Sequence, residues 1–217
     1  MRGKALGIGI AMVLLVPAAT TASAGAGELS AGVLEGAALL VIDIQAFYFA
    51  DGMIPLSNPD EASLNARRLV EFFRVSGRPV IHVQHLPKGV EEPDPTGIDP
   101  QYRIHSNVLP RVGEAVIGKH HANSFRDTDL RATLRDLGVT RLVICGMQTH
   151  MCVEAAVRAA ADLGFEVTVV GDACATRDLA FDGVNVPAAQ VHAAALAAMK
   201  SSYAAVVSTA ELCRITP

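Results

Sequence analysis

Short apolar runs rich in β-branched residues alternate with helical patterns along almost the whole chain. The runs are nearly uninterrupted by polar residues, which is typical of strands that are covered on both faces. The six predicted strands are 38–44, 79–84, 115–118, 142–146, 167–171 and 205–208. Alternation of strands with helices is typical of βαβ units. The sequence therefore predicts an α/β fold, a doubly wound and mainly parallel six-stranded sheet with helices on both faces.

The segments between the predicted strands carry apolar residues at helical spacing. The four predicted helices are 64–76, 129–137, 153–163 and 188–203. Thr128 is the expected N-cap of the second helix, and Gly138 its end. Residues 87–110 contain five prolines and two glycines without an apolar period, which predicts a long surface loop or lid. Ligands of such sheets bind beyond the carboxyl ends of the strands, so residues there are the first candidates for a functional site.

The first 24 residues have the features of an export signal. Arg2 and Lys4 precede an apolar stretch, and Ala22 and Ala24 form an A-x-A cleavage site. We expect cleavage after Ala24 and a periplasmic or secreted protein. The apolar stretch is too short to span a membrane, so no membrane association is expected after cleavage. Residues 25–36 are predicted to form a flexible tail, and residues 37–217 a single domain.

Charge and cysteine content limit the partners of the chain. The formal net charge is −4 and no sizeable cluster of lysine and arginine is present, which argues against a nucleic-acid surface. A small-molecule ligand is expected instead. Of the four cysteines, Cys145 ends a predicted strand and Cys152 begins a predicted helix. If a disulfide forms in the exported protein, the pattern favours Cys174 and Cys213 as the pair.

Cys152 ends the passage GMQTHMC, which lies between a predicted strand and a predicted helix. The amides and the dipole at a helix N-terminus stabilise negative charge, so a thiol there is expected to ionise readily and to act as a nucleophile. The alternative is a small buried apolar side chain, as free cysteines commonly are. A nucleophilic thiol also needs a proton acceptor and an oxyanion site.

Two further charged residues lie at predicted strand ends. Asp43 follows the first apolar run, where a carboxylate is costly unless it has a partner or a task, so it is a candidate general base. The alternative is an aspartate that caps a turn. Lys119 follows the third run and is expected to hold a neighbouring aspartate ionised; in isolation it would be a solvated surface charge.

Three ordered motifs carry a family resemblance. They are LLVIDIQAFYF with Asp43, GKHHANSFRDTDL with Lys119, and VICGMQTHMCVEAAVRAAADLGFEVTVVGDACAT with Cys152. Over about residues 37–212 the chain resembles the isochorismatase-like cysteine hydrolases, which include nicotinamidases and N-carbamoylsarcosine amidohydrolases. The resemblance implies that Asp43, Lys119 and Cys152 form a catalytic triad, and that a cis peptide bond joins Met147 to Gln148.

The resemblance also implies the surroundings of the triad. The backbone amides of Gln148 and Cys152 are the expected oxyanion hole. The candidate substrate-binding residues are Gln45, Tyr48, Phe125 and His150. For each of these side chains ordinary core or loop packing is the alternative. Members of the family commonly assemble as homo-oligomers, which is therefore expected of this chain.

The sequence departs from the nicotinamidase pattern at the metal site. Nicotinamidases carry a D-x-H element, whereas this chain reads HVQHLPKG and lacks the aspartate. His82 and His85 are three residues apart on a predicted strand, where they face opposite sides. We therefore predict neither a metal ion nor a cofactor.

The motifs together predict a cysteine hydrolase that cleaves a C–N bond of a small amide-type substrate through a thioester. One alternative is a non-catalytic protein that keeps the fold and binds a small molecule. Another is an isochorismatase-type ether hydrolase, although that chemistry does not require a cysteine nucleophile. A thiol-disulfide redox protein is disfavoured because Cys145 and Cys152 do not form a C-x-x-C pair.

Overall fold

Six parallel strands form one sheet in the computed structural model, which describes residues 31–97 and 99–215. The strands of this sheet are β1 (Ala37–Ile42), β2 (Val80–His85), β3 (Ala115–Lys119), β4 (Arg141–Met147), β5 (Glu166–Ala175) and β8 (Ala205–Val207). Their order across the sheet is β3-β2-β1-β4-β5-β8, and every pairing is parallel. The predicted fold class and all six predicted strands are confirmed, with ends that shift by a few residues.

Helices cover both faces of the sheet. They are α1 (Pro59–Val75), α2 (Leu130–Asp136), α3 (Glu154–Asp162), α4 (Ala188–Ser202) and α5 (Thr209–Leu212). α1 packs with α5, and α3 packs with α4. Right-handed crossovers place α1 and α3 on opposite faces, because α1 leads from β1 towards one edge of the sheet and α3 leads from β4 towards the other. No helix among the described residues is long and apolar enough to cross a membrane.

The order of the strands reverses between β1 and β4. The chain starts at β1, adds β2 and β3 on one side, and then returns to add β4, β5 and β8 on the other. A crevice opens beyond the carboxyl ends of the strands at such a switch point. All six residues of β1 are buried, which explains its uninterrupted apolar sequence. The segments that follow β1 and β4 therefore meet beside the most deeply buried strand.

Gly146 allows β4 to lie against the end of β1. Its φ is +135°, and a Cβ built there would lie 2.0 Å from the carbonyl oxygen and 2.7 Å from the nitrogen of Ile42. Both atoms belong to backbone that cannot move aside without breaking the pairing of β1 with β4. Only glycine fits this position. Gly146 pairs with Ile42, the residue before Asp43, and lies six residues before Cys152.

We expect Gly146→Ala to lower the free energy of unfolding by about 3 kcal/mol, because the methyl group overlaps main-chain atoms. Denaturant unfolding measures the loss. Gly164→Ala is the matched control: Gly164 also has a positive φ, +91°, but nothing lies within 4 Å of a Cβ there. The control should lose only about 1 kcal/mol from backbone strain. Equal losses in the two variants would contradict the close-approach argument.

Three elements, two strands and a short helix, lie outside the predicted set. The strands β6 (Leu179–Phe181) and β7 (Val184–Val186) form a separate antiparallel hairpin. Its turn is Asp182-Gly183, with φ of 48° and 75°, as a two-residue turn of this kind requires. The short helix α5 begins with a capping box between Ser208 and Glu211.

The ends of two helices differ from the prediction. α1 begins at Pro59, five residues before the predicted start, because proline suits the first turn of a helix. The N-cap position of α2 is Asp129 rather than Thr128, although the Thr128 hydroxyl accepts a hydrogen bond from the amide of Leu130 at 3.4 Å.

The described part of the 87–110 segment is irregular, as predicted, but it packs against the rest of the domain. It contains two 3₁₀ turns, Pro100–Tyr102 and Ser106–Val108, and the side chain of Val108 is fully buried. Ile104 forms a β-bridge with Gln45. The segment is thus a packed part of the domain over this region. The predicted export signal, and the predicted tail up to residue 30, lie outside the described residues.

Candidate active site

Asp43 and Lys119 meet as a buried ion pair at the carboxyl edge of the sheet. Asp43 directly follows β1, and Lys119 is the last residue of β3. Lys119 Nζ lies 2.7 Å from Asp43 Oδ2, and both side chains are 0% exposed. The ammonium group also donates a hydrogen bond to the carbonyl oxygen of His121 at 3.0 Å. The sequence-based expectation that these two strand ends come together is thus met by the geometry.

The backbone at Asp43 is unusual. Its φ is 49°, in the left-handed region that residues other than glycine seldom adopt. The conformation is held because the Asp43 amide donates to the carbonyl of Val83 at 3.0 Å, and the Asp43 carbonyl accepts from the amide of Gln45 at 2.9 Å. Left-handed backbone of this kind clusters at functional sites, where the surrounding structure fixes a side chain in one direction.

Cys152 lies in a single π-helical turn, Thr149–Val153, between β4 and α3. The turn follows a cis peptide bond between Met147 and Gln148, which confirms that expectation. The carbonyl oxygen of Gln148 accepts hydrogen bonds from the amides of Met151 and Val153. The Cys152 side chain is 5% exposed, so the thiol faces the interior rather than bulk water.

The electrostatics of Cys152 are opposite to the sequence-based expectation. Burial, and then the negative charge of Asp43, raise the pKa of the thiol to about 12, although Lys119 acts to lower it. Burial alone would lower the pKa of Lys119, yet the pKa is raised because Asp43 and Cys152 favour the ammonium form. The helix N-terminus therefore does not produce a resting thiolate. The site holds a neutral thiol beside an Asp43–Lys119 ion pair.

One backbone amide beside the thiol is available to a ligand. The amide of Gln148 donates to no hydrogen-bond acceptor within the described part of the chain. Unpaired amides at the start of a helical turn are donors that suit a developing oxyanion. The role of the Gln148 and Cys152 amides as an oxyanion hole stays a proposal.

Tyr48 is the predicted pocket residue that lies beside the thiol. It belongs to a 3₁₀ turn after β1 and is 5% exposed. Its hydroxyl oxygen accepts a hydrogen bond from Gln148 Nε2 at 3.3 Å. Burial, followed by the charges of Asp43 and Cys152, raises the pKa of Tyr48 well above its usual value. The hydroxyl is therefore protonated at neutral pH and close to both groups.

The buried side chain of Gln45 makes structural hydrogen bonds. Its Nε2 donates to the carbonyl oxygens of His85 at 3.0 Å and Tyr102 at 2.6 Å, and its Oε1 accepts from the amide of His85 at 2.8 Å. Both N–H bonds of the carboxamide are used in this way. Gln45 fastens the 87–110 segment to the end of β2, and it has no donor left for a substrate.

Phe125 makes its aromatic contact away from the thiol. Its ring centroid lies 6.1 Å from that of Phe165, which directly precedes β5 at the amino-terminal edge of the sheet. Cys152 lies at the opposite, carboxyl-terminal edge. Phe125 thus has a packing contact, and its assignment to the substrate pocket stays a prediction.

His150 belongs to the turn that carries Cys152 and also lines a groove. Its Nδ1 is 2.5 Å from the Thr176 hydroxyl. Burial and the nearby Arg177 lower the pKa of His150. His150 and Glu154 lie at the polar end of an open groove of about 510 Å³, whose apolar lining comes from the β6–β7 hairpin and α4. His150 thus lines this groove, and its assignment to the substrate pocket of Cys152 stays a prediction.

Arg177 was missed by the motif analysis. It is an exposed residue just beyond β5, directly after Thr176; its charge contributes to the lowered pKa of His150 and slightly opposes the raised pKa of Tyr48. Its position at a strand end was the available signal. The sequence alone does not show that this strand end faces Tyr48.

His82 is committed to a cluster away from the thiol. Its Nε2 lies 3.1 Å from Glu114 Oε2, and Glu114 also accepts a hydrogen bond from Arg74 Nε at 2.7 Å. The carboxylate ties α1 and β2 to the loop before β3. Within residues 31–97 and 99–215, no three His, Cys, Asp or Glu side chains are grouped so as to hold a metal ion.

The four cysteines are unpaired in the structure. The pairing of Cys174 with Cys213, which the pattern favoured, is not formed. Cys174 is buried on β5, and its thiol donates to the carbonyl oxygen of Val170 at 3.4 Å, whereas Cys213 is half-buried after α5. Burial raises the pKa of Cys174 to about 12, which suits an inert thiol.

Comparison with known proteins places this geometry in a family. A model described as "Isochorismatase domain" matches residues 37–211. The uncharacterized isochorismatase family protein YddQ of Bacillus subtilis is 46% identical over 79% of this chain and 96% of that protein. The secreted isochorismatase effector Isc1 of Verticillium dahliae is 34% identical over 80% of this chain and 88% of its own length. A streptothricin hydrolase of Streptomyces noursei is 37% identical over 73% of this chain and 63% of that protein.

Solved structures agree with the fold. A crystal structure of a putative isochorismatase hydrolase from Oleispira antarctica superposes with a TM-score of 0.76 at 46% identity, covering 82% of this chain and 96% of the other. N-carbamoylsarcosine amidase from Thermoplasma acidophilum superposes with a TM-score of 0.64 at 26% identity, covering 80% of this chain and 96% of the other.

Proposed function

The chain belongs to the isochorismatase family of hydrolases, and from that premise we propose that it cleaves a C–N bond of a small amide-type substrate through a thioester at Cys152. The observation that carries the proposal is the buried thiol beside the Asp43–Lys119 ion pair. Two similar proteins are named as a streptothricin hydrolase and an N-carbamoylsarcosine amidase, and these names support hydrolysis of amides.

The resting protonation states define the first step. Cys152 is neutral because its pKa is about 12, so the thiol proton must leave as the sulfur attacks. The Asp43 carboxylate takes this proton while the Sγ–C bond forms, and the amides of Gln148 and Cys152 stabilise the oxyanion. The protonated Asp43 then gives the proton to the departing nitrogen as the C–N bond breaks. An amine or ammonia and a thioester result.

Hydrolysis of the thioester reverses the proton path. Asp43 takes a proton from the attacking water, a C–O bond forms, and the Sγ–C bond breaks. The sulfur recovers the proton, and a carboxylic acid is released. Lys119 stabilises the carboxylate of Asp43 in both half-reactions, because the ammonium group is held 2.7 Å from Oδ2 and remains charged.

Ammonia release from a panel of carboxamides and ureides tests the proposal. Turnover should be accompanied by a mass increase on Cys152, equal to one acyl group, when the reaction is stopped with acid and the intact protein is weighed. Absence of ammonia release together with turnover of a vinyl ether would replace the proposal by ether hydrolysis. Binding of panel compounds with neither product would support a non-catalytic binding protein.

We also propose that the protein is exported. The motif from Arg2 to Ala24 supports this, and one relative is named as a secreted effector. After expression of the full gene in a bacterial host, the exported protein should have the mass of residues 25–217. Recovery of the full-length chain, beginning with Met1, in the cytoplasmic fraction alone would contradict export.

A further inference from the structure

The two ends of the Gln148 side chain are in different situations. Nε2 donates to the hydroxyl oxygen of Tyr48 at 3.3 Å. Oε1 is buried and has no hydrogen-bond partner among the described residues. Gln148 as a whole is only 3% exposed, so water does not reach Oε1 freely. A buried acceptor without a donor is costly, and in a native protein it needs an explanation.

Gln148 lies beside the residues of the thiol site. Gln148 is joined by the cis peptide to the end of β4 and directly precedes the turn that carries Cys152. Its partner Tyr48 is close enough to Asp43 and Cys152 to respond to the charge of each. The hydrogen bond to Tyr48 fixes the side chain of Gln148, so that Oε1 is held in place.

The side chain of Gln148 offers an acceptor, whereas its backbone amide offers a donor. The Asp43 carboxylate is engaged by Lys119, whose Nζ lies 2.7 Å from Oδ2, and by the Cys152 thiol. Lys119 is already engaged by Asp43 and by the carbonyl of His121. A ligand that complements Gln148 must carry a carbonyl oxygen for the backbone amide and an N–H for Oε1. Ester and ether oxygens accept hydrogen bonds but donate none.

We propose that Gln148 Oε1 accepts a hydrogen bond from an N–H of the substrate, and that the site thereby selects unsubstituted carboxamides and ureides over N,N-disubstituted amides and esters. The inference rests on the proposed function, because it names the group that binds the nitrogen of the C–N bond that is cleaved. Tyr48 acts as a positioning residue that orients Gln148. The role concerns the Gln148 side chain and is separate from that of its backbone amide.

Gln148→Met tests the inference, because methionine keeps the length of the side chain and removes the acceptor. The kcat/KM values are measured for a carboxamide and for the methyl ester of the same acyl group. We expect the carboxamide-to-ester ratio to fall by about tenfold or more, since a lost acceptor penalises only the substrate that has an N–H. Tyr48→Phe should lower the same ratio by a smaller factor. Gln190→Met, an exposed change on α4, is the matched control.

Alkylation of Cys152 gives a readout that needs no turnover. Iodoacetamide carries an unsubstituted carboxamide, and its N,N-dimethyl derivative lacks N–H. Relative to free cysteine, the wild-type protein should prefer iodoacetamide, and Gln148→Met should lose that preference. An unchanged preference, or an equal fall of both kcat/KM values, would overturn the inference and leave Gln148 a purely structural part of the turn. If the wild-type protein turns over no amide but keeps the alkylation preference, the result would instead count against the proposed function alone.

Discussion

Replacement of Cys152 by alanine is expected to lower amide turnover by at least about 10⁴-fold, because no other group in the site can form the thioester. The thiol is 5% exposed and lies beside both members of the Asp43–Lys119 pair, so its loss removes the attacking atom and leaves the charges in place. Alanine is close to cysteine in size, and the fold should persist. Steady-state ammonia release, with substrate at saturation, measures the effect.

Cys213→Ala is the control for this experiment. Cys213 is half-buried after α5 and makes no contribution to the site, so this variant should keep wild-type turnover. Circular dichroism and thermal unfolding should show both variants folded. Turnover within about tenfold of wild type in folded Cys152→Ala would refute nucleophilic catalysis by this thiol. Trapping of an acyl group on another residue would refute it as well.

Much of the fold was predictable because burial leaves a direct mark on the sequence. β1 is covered on both faces and therefore has no polar residue from Ala37 to Ile42. The same reasoning placed Asp43, Lys119 and the Cys152 turn at strand ends. Parallel strands carry their carboxyl ends to one edge, so three residues far apart in the chain were expected to meet. The ion pair at 2.7 Å meets that expectation.

The local signals of two elements were present but not used. An Asp-Gly pair, Asp182-Gly183, marks the turn of the hairpin, and the spacing of Ser208 and Glu211 marks the start of α5. Both elements are only a few residues long. Their apolar residues are too few to show a period, and the hairpin pairs with neither edge of the main sheet.

The protonation state of Cys152 was not predictable from its position in the sequence. A helix N-terminus favours a thiolate, but burial and the carboxylate of Asp43 act more strongly and raise the pKa to about 12. Those two influences arise from tertiary contacts. The role of Gln45 depends on contacts as well, because only the structure shows that its carboxamide is used by His85 and Tyr102.

A neutral thiol also removes a difficulty with the proposed export. The thiolate is the form that reacts with oxidants and disulfides, so a thiol with a pKa of about 12 is protected at neutral pH. The nucleophile then forms only when a carbonyl group and the Asp43 carboxylate act on Cys152 together. This requirement leads to a prediction in which reactivity towards an alkylating reagent and catalysis change in opposite directions.

Asp43→Asn is expected to lower amide turnover by about 10³-fold or more, because the proton of the thiol loses its acceptor and the leaving nitrogen loses its donor. The same change should lower the pKa of Cys152. Burial and the Asp43 carboxylate raise that pKa and Lys119 lowers it, so removal of the carboxylate leaves burial opposed by Lys119 and the pKa falls. The curve of alkylation rate against pH should therefore shift to lower pH in the variant, while turnover is lost.

Measurements of unfolding free energy distinguish the loss of proton transfer from damage to the fold. Asp43→Asn leaves the ammonium of Lys119 buried without its partner, which should cost about 3 kcal/mol of unfolding free energy. The double variant Asp43→Asn, Lys119→Met removes both charges and should recover most of that loss while remaining inactive. If the double variant regained turnover, or if Asp43→Asn alone kept it, proton transfer through Asp43 would be excluded. A shift of the alkylation curve to higher pH would show that the Asp43 carboxylate does not raise the pKa of Cys152, because removal of its charge would then have failed to lower that pKa.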